Sequence, residues 1–297
     1  MSIAIIYESE EWSNIYLKDY LSKKGFDVLF INFEKSVFDA AFFSSVQLIV
    51  NRIFPSSYFR GHVKTYYKGI DFLRKLNEKG IPMINSFEAL MYDFDKQLVC
   101  KALRDNNVNT PEIYCGSKNF DIDKIKYPCI IKPNRGGRST HTCKVDNSEE
   151  LYEFSKTLPA IDFIYQEYIQ SIDNYTLRIE VINGEIFSAV KRSMDEKGIS
   201  SYHRGAVYEH IHKLDEHIEK LVINTLSILN IKMGGIDVIV SKDGPYIIDV
   251  NATSNFSKAF VDFLGKNPLD KMGDLIIEEY LKISTKYDTL PNFPTSF

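Results

Sequence analysis

The chain is poor in the residues that build thiol and zinc centres. Only four cysteines occur in 297 residues, Cys100, Cys115, Cys129 and Cys143, and none forms a CxxC pair. That spacing excludes the common zinc modules and a dithiol redox site. Cys129 stands in an apolar, strand-like run, where core packing is its expected role, and free thiols suit a reducing cytoplasm. No apolar stretch approaches the ~18 residues of a membrane span. The opening MSIAIIYESEEW has a short apolar run without a basic flank, which is not the pattern of a secretory leader. A basic excess is also missing: 36 Lys+Arg against 40 Asp+Glu give a formal net charge of -4. Nucleic-acid binders usually carry the opposite balance. Repeats and low-complexity segments are absent. These absences lead us to expect a cytoplasmic protein with neither membrane nor nucleic acid as partner, although local basic clusters could hold a small polyanion.

What is present is an ordinary globular composition, 44% hydrophobic and 26% charged, long enough for two or three lobes. Ile3 to Tyr7 reads as a buried strand, Glu11 to Lys24 as a helix stopped by Gly25, and Asp27 to Ile31 and Gln47 to Val50 as further strands. A helix over Ile70 to Lys79 and a strand from Pro82 to Asn85 complete a small parallel α/β lobe, residues 1–92. A second lobe, 93–163, opens with a helix over DFDKQLVCKALRDNNV that places Leu98 and Ala102 on its inner face. The strand Tyr127 to Lys132, the polar loop Asn134 to Thr142 and a helix over Leu151 to Thr157 follow. A third lobe, 164–290, holds the strand Phe163 to Ile169 at its start. Asn183-Gly184 then joins two strands in a strong hairpin signal. A helix over Leu214 to Leu229, the strands Gly235 to Val240 and Tyr246 to Val250, and a helix over Asp270 to Lys282 complete it.

Four clusters carry chemistry. Asp237, Asp249 and Asn251 are predicted at one end of a hairpin, with Asp249 and Asn251 on one face. Three oxygen donors there suit magnesium, though Asp and Asn also simply end strands. Lys132 at a strand end, followed by Pro133, Gly136 and Gly137 with Arg135 and Arg138, reads as a phosphate loop or as a solvated basic turn. Gln166, Glu167, Tyr168 and Ile169 could offer backbone groups to a flat heterocycle or form a plain edge strand. Arg178, Arg192 and Arg204 could converge on a phosphoryl group or make surface ion pairs. Arg52, Arg60, His62 and Lys64 could meet an anionic acceptor or form a solvated basic loop. No serine or cysteine stands out as a nucleophile.

The order of the motifs is itself informative. Asp95-Lys96, IKPNRGG, YQEYI, TLRIEVING, VKRS, SYHRG, GGIDVIV and IIDVNATSNFS, over about residues 48 to 265, together resemble the ATP-grasp superfamily, and within it the RimK-like carboxylate–amine ligases. The resemblance implies two α+β lobes clasping ATP behind a small parallel-sheet domain. It implies that a carboxylate is converted to an acylphosphate and joined to an amine, with ADP as product. By the same resemblance Lys96, Lys132, Gly136 and Gly137 hold phosphates, and Gln166, Glu167, Tyr168 and Ile169 meet the adenine. Asp173 or Asn174 meets the ribose, and Ser201 counts among the nucleotide-binding residues. Asp237, Asp249 and Asn251 would hold magnesium, or manganese in its place. Arg178, Arg192 and Arg204 would face the transferring group. The usual middle Glu of the metal triad is Asp249 here, the usual Asp before the strand arginine is Thr176, and Ser201 and Ala206 replace an Asn and a Gly around His203-Arg204-Gly205. The implied partners are an amino acid and a peptide, protein or small metabolite, and a homo-oligomer is compatible with the pattern. A kinase or ligase with a non-amine acceptor and a silent ATP-binding regulator are the competing readings.

Overall fold

The computed structural model describes residues 2–36, 38, 42, 46–200 and 205–288. The chain forms two units, one of residues 1–53, 67–84 and 255–297, the other of residues 54–66 and 85–254.

In the first unit, β1 (Ser2–Tyr7), β2 (Val28–Asn32), β3 (Val46–Arg52) and β4 (Met83–Ile84) make a parallel sheet in the order β2-β1-β3-β4. β1 and β3 are buried along their whole length, as central strands of a covered parallel sheet must be. Helix α1 (Trp12–Lys23) packs on the final helix, Pro268–Asp288. Tyr16 and Tyr20 donate hydrogen bonds to Asp270 and Asp274 at 2.7 and 2.6 Å. Gly273 leaves the space that the Tyr20 ring fills. Arg52 is fully buried here. Its Nε donates to Asn14 Oδ1 at 2.7 Å and its Nη2 to Ser13 Oγ at 3.0 Å. Burial lowers its pKa to about 10, and Glu8 and Glu11 oppose that fall. Arg52 is therefore an interior strut rather than part of a solvated basic loop.

The second unit carries helix α2's first residues (α2 spans Val63–Glu78), then α3 (Phe87–Phe94) and α4 (Lys96–Asp105). The sequence suggests one helix across this region, but Asp95 leaves helical geometry and caps α4 by accepting from Leu98 N. That cap sets the helical phase. Val99, Cys100 and Leu103 turn inward, Ala102 is half-buried, and Leu98 is 41% exposed, contrary to the expected inner face.

Two antiparallel sheets follow. β5 (Ile113–Gly116), β6 (Cys129–Pro133), β7 (Cys143–Val145) and β8 (Phe163–Glu167) run in the order β5-β8-β6-β7. Their core includes Cys115, Cys129, Ile131, Phe163 and Tyr165, so Cys129 is a packing residue. β9 (Tyr175–Ile182), β10 (Glu185–Ser193), β11 (Tyr208–His210), β12 (Met233–Ser241) and β13 (Gly244–Asn251) run β11-β10-β9-β12-β13. Asn183 and Gly184, both at positive φ, make the β9–β10 turn.

One buried side chain ties this sheet to the residues before α3. Asn85, 1% exposed, donates from Nδ2 to the carbonyls of Met233 and Ala252, both at 2.7 Å. Its Oδ1 accepts from Lys232 N at 2.9 Å and Met233 N at 3.2 Å. Both donors and both acceptor positions of the amide are used. Asn85 thus pins the start of β12 beside the exit of β13. Asn85→Ala leaves four backbone groups without their partner, and a loss of at least about 3 kcal/mol is expected. Urea unfolding that showed an unchanged midpoint would contradict this.

Candidate active site

The antiparallel register assembles the charged row. Arg178 on β9 lies across from Asp237 on β12, and Asp237 lies across from Asp249 on β13. Gly235 pairs with Asn251, and Asn251 Nδ2 approaches Gly235 O at 3.5 Å. Side chains two apart on a strand share a face, so Asp249 and Asn251 join Asp237 on one surface. Asp237 also receives Arg192 Nη2 from β10 at 2.7 Å and Arg178 Nη1 at 3.3 Å. Burial raises the Asp237 pKa, but the two guanidinium groups outweigh it and hold the carboxyl below its ordinary value. Burial opposes the charge of Arg178, while Glu180 and Asp237 raise its pKa above the ordinary guanidinium value. The arginines thus face one another's counter-ions inside the fold, and are not exposed surface pairs.

Lys132, near the end of β6, is half-buried and donates from Nζ to Ile248 O at 3.3 Å, beside Asp249. Burial lowers its pKa, and Asp249 partly opposes that fall. Lys96, the first residue of α4, donates to Gly136 O at 2.9 Å. Lys96, Val99, Cys100, Lys132, Ile248 and Asp249 line one small cavity. The loop after β6 is built on Asn134, whose Nδ2 donates to Asp95 Oδ1 at 3.1 Å while its Oδ1 accepts from Gln97 N at 2.9 Å. Gly136 has φ +103, and a Cβ there would strike the Phe59 ring. The loop therefore needs glycine at this point for both backbone and space.

Gln166 and Glu167 lie within β8, paired to β5 and β6. Gln166 is buried and donates to Cys100 Sγ at 3.6 Å, while Glu167 Oε2 accepts from Glu112 N at 3.1 Å. Tyr168 and Ile169 follow the strand's end, with the Lys144 ammonium 4.8 Å from the Tyr168 ring centre. Asp173 and Asn174 are exposed just before β9. Asn174 O accepts from Met194 N at 2.9 Å. Ser201 and Arg204 lie outside the described residues. Arg60 donates from Nε to Ser56 Oγ at 3.2 Å and lies over the Phe54 ring.

Three side chains of this region go unnoticed in the motif pattern. Glu180 accepts from Arg178 Nε at 2.6 Å, and Ser254 Oγ donates to Glu180 Oε2 at 2.7 Å. Asp93, at 7% exposure, accepts from Thr253 N at 2.8 Å. Burial, followed by the nearby charge of Asp249, raises its pKa to about 7. Glu180 alone had a local signal, since it stands two residues after Arg178 on the same strand face.

An ATP-grasp domain model matches residues 94–254, more than half of the chain. The chain belongs to the ATP-grasp family. A probable alpha-L-glutamate ligase of Mannheimia succiniciproducens is 27% identical over 194 residues, 62% of this ATP-grasp chain and 64% of that protein. The match thus takes in less than two thirds of that relative. The coenzyme gamma-F420-2:alpha-L-glutamate ligase of Methanocaldococcus jannaschii is 25% identical over 278 residues, 90% of this chain and 93% of that one. The ATP complex of Bacillus anthracis D-alanine–D-alanine ligase shares the fold at a TM-score of 0.68 and 18% identity, covering 96% and 99% of the two chains. Among the described residues no helix is long and apolar enough to cross a membrane.

Two outcomes follow from the buried charges of this ATP-grasp domain. An acid whose folded pKa is raised contributes most stability below its unfolded pKa, and that contribution is lost as pH rises through the folded value. For Asp93 the window runs from about 4 to about 7. Asp93→Asn keeps an acceptor for Thr253 N and removes the titration. The melting temperature of the variant, measured against the parent, should gain steadily from pH 4.5 to 7. Lys132→Met should leave the melting temperature of the nucleotide-free protein equal or higher, because a desolvated ammonium is removed. The same change should weaken ATP binding roughly tenfold or more by calorimetry, since a charge-assisted contact is worth ~1.5–3 kcal/mol.

Proposed function

We propose that the protein is an ATP-dependent ligase that joins a carboxylate to an amine, releasing ADP and phosphate, with an amino acid as one of the two substrates. The observation that carries the reading is the charged row of β9, β12 and β13: an arginine, two aspartates and an asparagine in register, with a half-buried lysine beside them. Family membership supports ATP as the phosphoryl donor. Both glutamate-ligase relatives support an amino-acid substrate, and the second partner is a peptide, protein or small metabolite.

The donor set fits magnesium. Asp237, Asp249 and Asn251 offer only oxygens for a cation, and magnesium takes few carboxylates with phosphate oxygens and water. Among the described residues no cluster of three or more His, Cys, Asp or Glu could hold a metal by itself. That agrees with a metal held jointly by protein and nucleotide. Magnesium supplies neutralisation of phosphate charge at this place.

In the proposed reaction a substrate carboxylate oxygen bonds to the γ-phosphorus as the bond to the β-phosphate oxygen breaks. The amine nitrogen then bonds to the acyl carbon, the acyl carbon–oxygen bond to phosphate breaks and the nitrogen gives up one proton, so an amide, ADP and phosphate result. The chain's own residues position and neutralise. Lys132 and Lys96 meet the phosphate chain, with Gly136 and Gly137 letting the loop approach it closely. The hinge Gln166, Glu167, Tyr168 and Ile169 meets the adenine, and Asp173 or Asn174 the ribose. Arg178 and Arg192 stabilise charge on the group in transfer, as such chemistry requires cationic clamps more than a nucleophile.

Assays with ATP, magnesium and candidate amino acid and carboxylate pairs should release ADP. Hydroxylamine in place of the amine should trap the activated carboxylate as a hydroxamate. AMP as the nucleotide product would falsify the reading. Arg178→Ala should lower kcat about 10²–10³-fold with a small change in the KM for ATP. A large KM change at normal kcat would place Arg178 in ground-state binding instead.

A further inference from the structure

Arginine and carboxylate tend to pair by two parallel hydrogen bonds. Arg178 and Asp237 stand directly across from each other on paired strands, yet they do not pair that way. The three guanidinium nitrogens go to three different residues. Nε donates to Glu180 Oε1 at 2.6 Å, Nη1 to Asp237 Oδ1 at 3.3 Å and Nη2 to Ser254 Oγ at 3.3 Å. The Glu180 contact is the shortest of the three. The guanidinium lies over Gly235, where a Cβ would strike it. Gly235 is the register partner of Glu180, two residues from Asp237. The chain has left a place for the arginine beside Glu180 and not over the aspartate.

Glu180 is itself held. It is 4% exposed, and its second oxygen accepts the Ser254 hydroxyl at 2.7 Å. A carboxylate with both oxygens occupied cannot drift toward solvent. Three of the five N–H groups of Arg178 are taken by these contacts, which leaves two for an incoming oxygen.

We infer that Glu180, tethered by Ser254, is a positioning residue that holds Arg178 to one long contact with Asp237, whose other oxygen already carries Arg192 at 2.7 Å, and so limits the competition of Arg178 with a divalent cation at Asp237. Without that hold the arginine settles into a two-bond pair with Asp237 and competes with the metal. This rests on Asp237 being a metal ligand, as proposed above. The role is one of geometry as well as charge, since a carboxylate one methylene shorter keeps the charge but loses its reach to Nε.

The test uses Mn²⁺ with adenylyl imidodiphosphate, a non-hydrolysable ATP analogue, and reads free Mn²⁺ by electron paramagnetic resonance. Thermal melting checks each variant's fold. The parent should bind Mn²⁺ in the presence of the analogue. Glu180→Gln and Glu180→Asp should each weaken that binding at least fivefold, while affinity for the analogue without metal stays within twofold. Adding Arg178→Ala to Glu180→Asp should restore most of the lost metal affinity, because the competitor is gone. If the parent shows no nucleotide-dependent Mn²⁺ binding, or Asp237→Asn leaves it intact, the metal-site reading fails first and the inference with it. If the parent passes and Glu180→Asp binds metal like the parent, the positioning role is overturned and only a charge effect remains. Failure of Arg178→Ala to restore binding overturns it too. Should the Glu180 variants not fold, Ser254→Ala decides: about threefold weaker Mn²⁺ binding supports the tether, and unchanged binding refutes it.

Discussion

Arg178, Asp237 and Asp249 occupy one row across three adjacent antiparallel strands, and every other feature of the site is arranged around that row. The register makes it. A slip of one residue in either ladder would turn a member of the row to the opposite face. Asn85 guards against such a slip from outside the sheet. It binds Lys232 and Met233 at the entry to β12 and the residue after β13 with one amide, which resists a slide of the two strand ends past each other. A buried amide with all its positions used is rigid and direction-specific in a way that an apolar contact is not.

Several contacts then fix the loops on either side. Asp95 caps α4 and holds Asn134, and Asn134 in turn meets Gln97 N. The start of the helix that carries Lys96 and the loop that carries Gly136 are thereby one hydrogen-bonded piece. Asp93 does the same for the exit of β13 through Thr253 N. Asp93 and Asp95, two residues apart in sequence, thus hold two different segments, the exit of β13 and the loop after β6. Asp93 lies in the last turn of α3 and Asp95 at the break that follows it.

Legibility in the sequence followed the range of the interaction. The alternation of strand and helix, the Asn183-Gly184 turn and the row of Asp237, Asp249 and Asn251 depend on neighbours a few residues away or on one tight hairpin, and all could be read directly. The helical phase of α4 was misread because a single cap at Asp95 resets it, moving Leu98 to the surface. β5, β7 and β11 are too short, at three or four residues, to show a period. Arg52 looked like a surface charge because its partners Ser13 and Asn14 lie on another element. Asn85 and Asp93 find their partners about 150 residues later, so no local pattern could announce them. Glu180 is the instructive omission. An acid in the middle of the apolar strand TLRIEVI, two residues from an arginine, is a buried pair in plain view.

The arrangement also explains how charge of both signs is kept largely under cover. Asp237 is matched by two arginines, Glu180 by one of them and by a hydroxyl, and Lys132 has Asp249 nearby with a carbonyl in contact. Each charge has a partner, so burial does not leave an isolated ion. On the proposed reading, a nucleotide would bring negative charge to the lysines and a divalent cation positive charge to the aspartates. Either one alone separates an existing pair and leaves half of it uncompensated. Arriving together they replace each internal partner with an external one of the same sign. On that reading, metal and nucleotide binding would be coupled through the protein's own ion pairs.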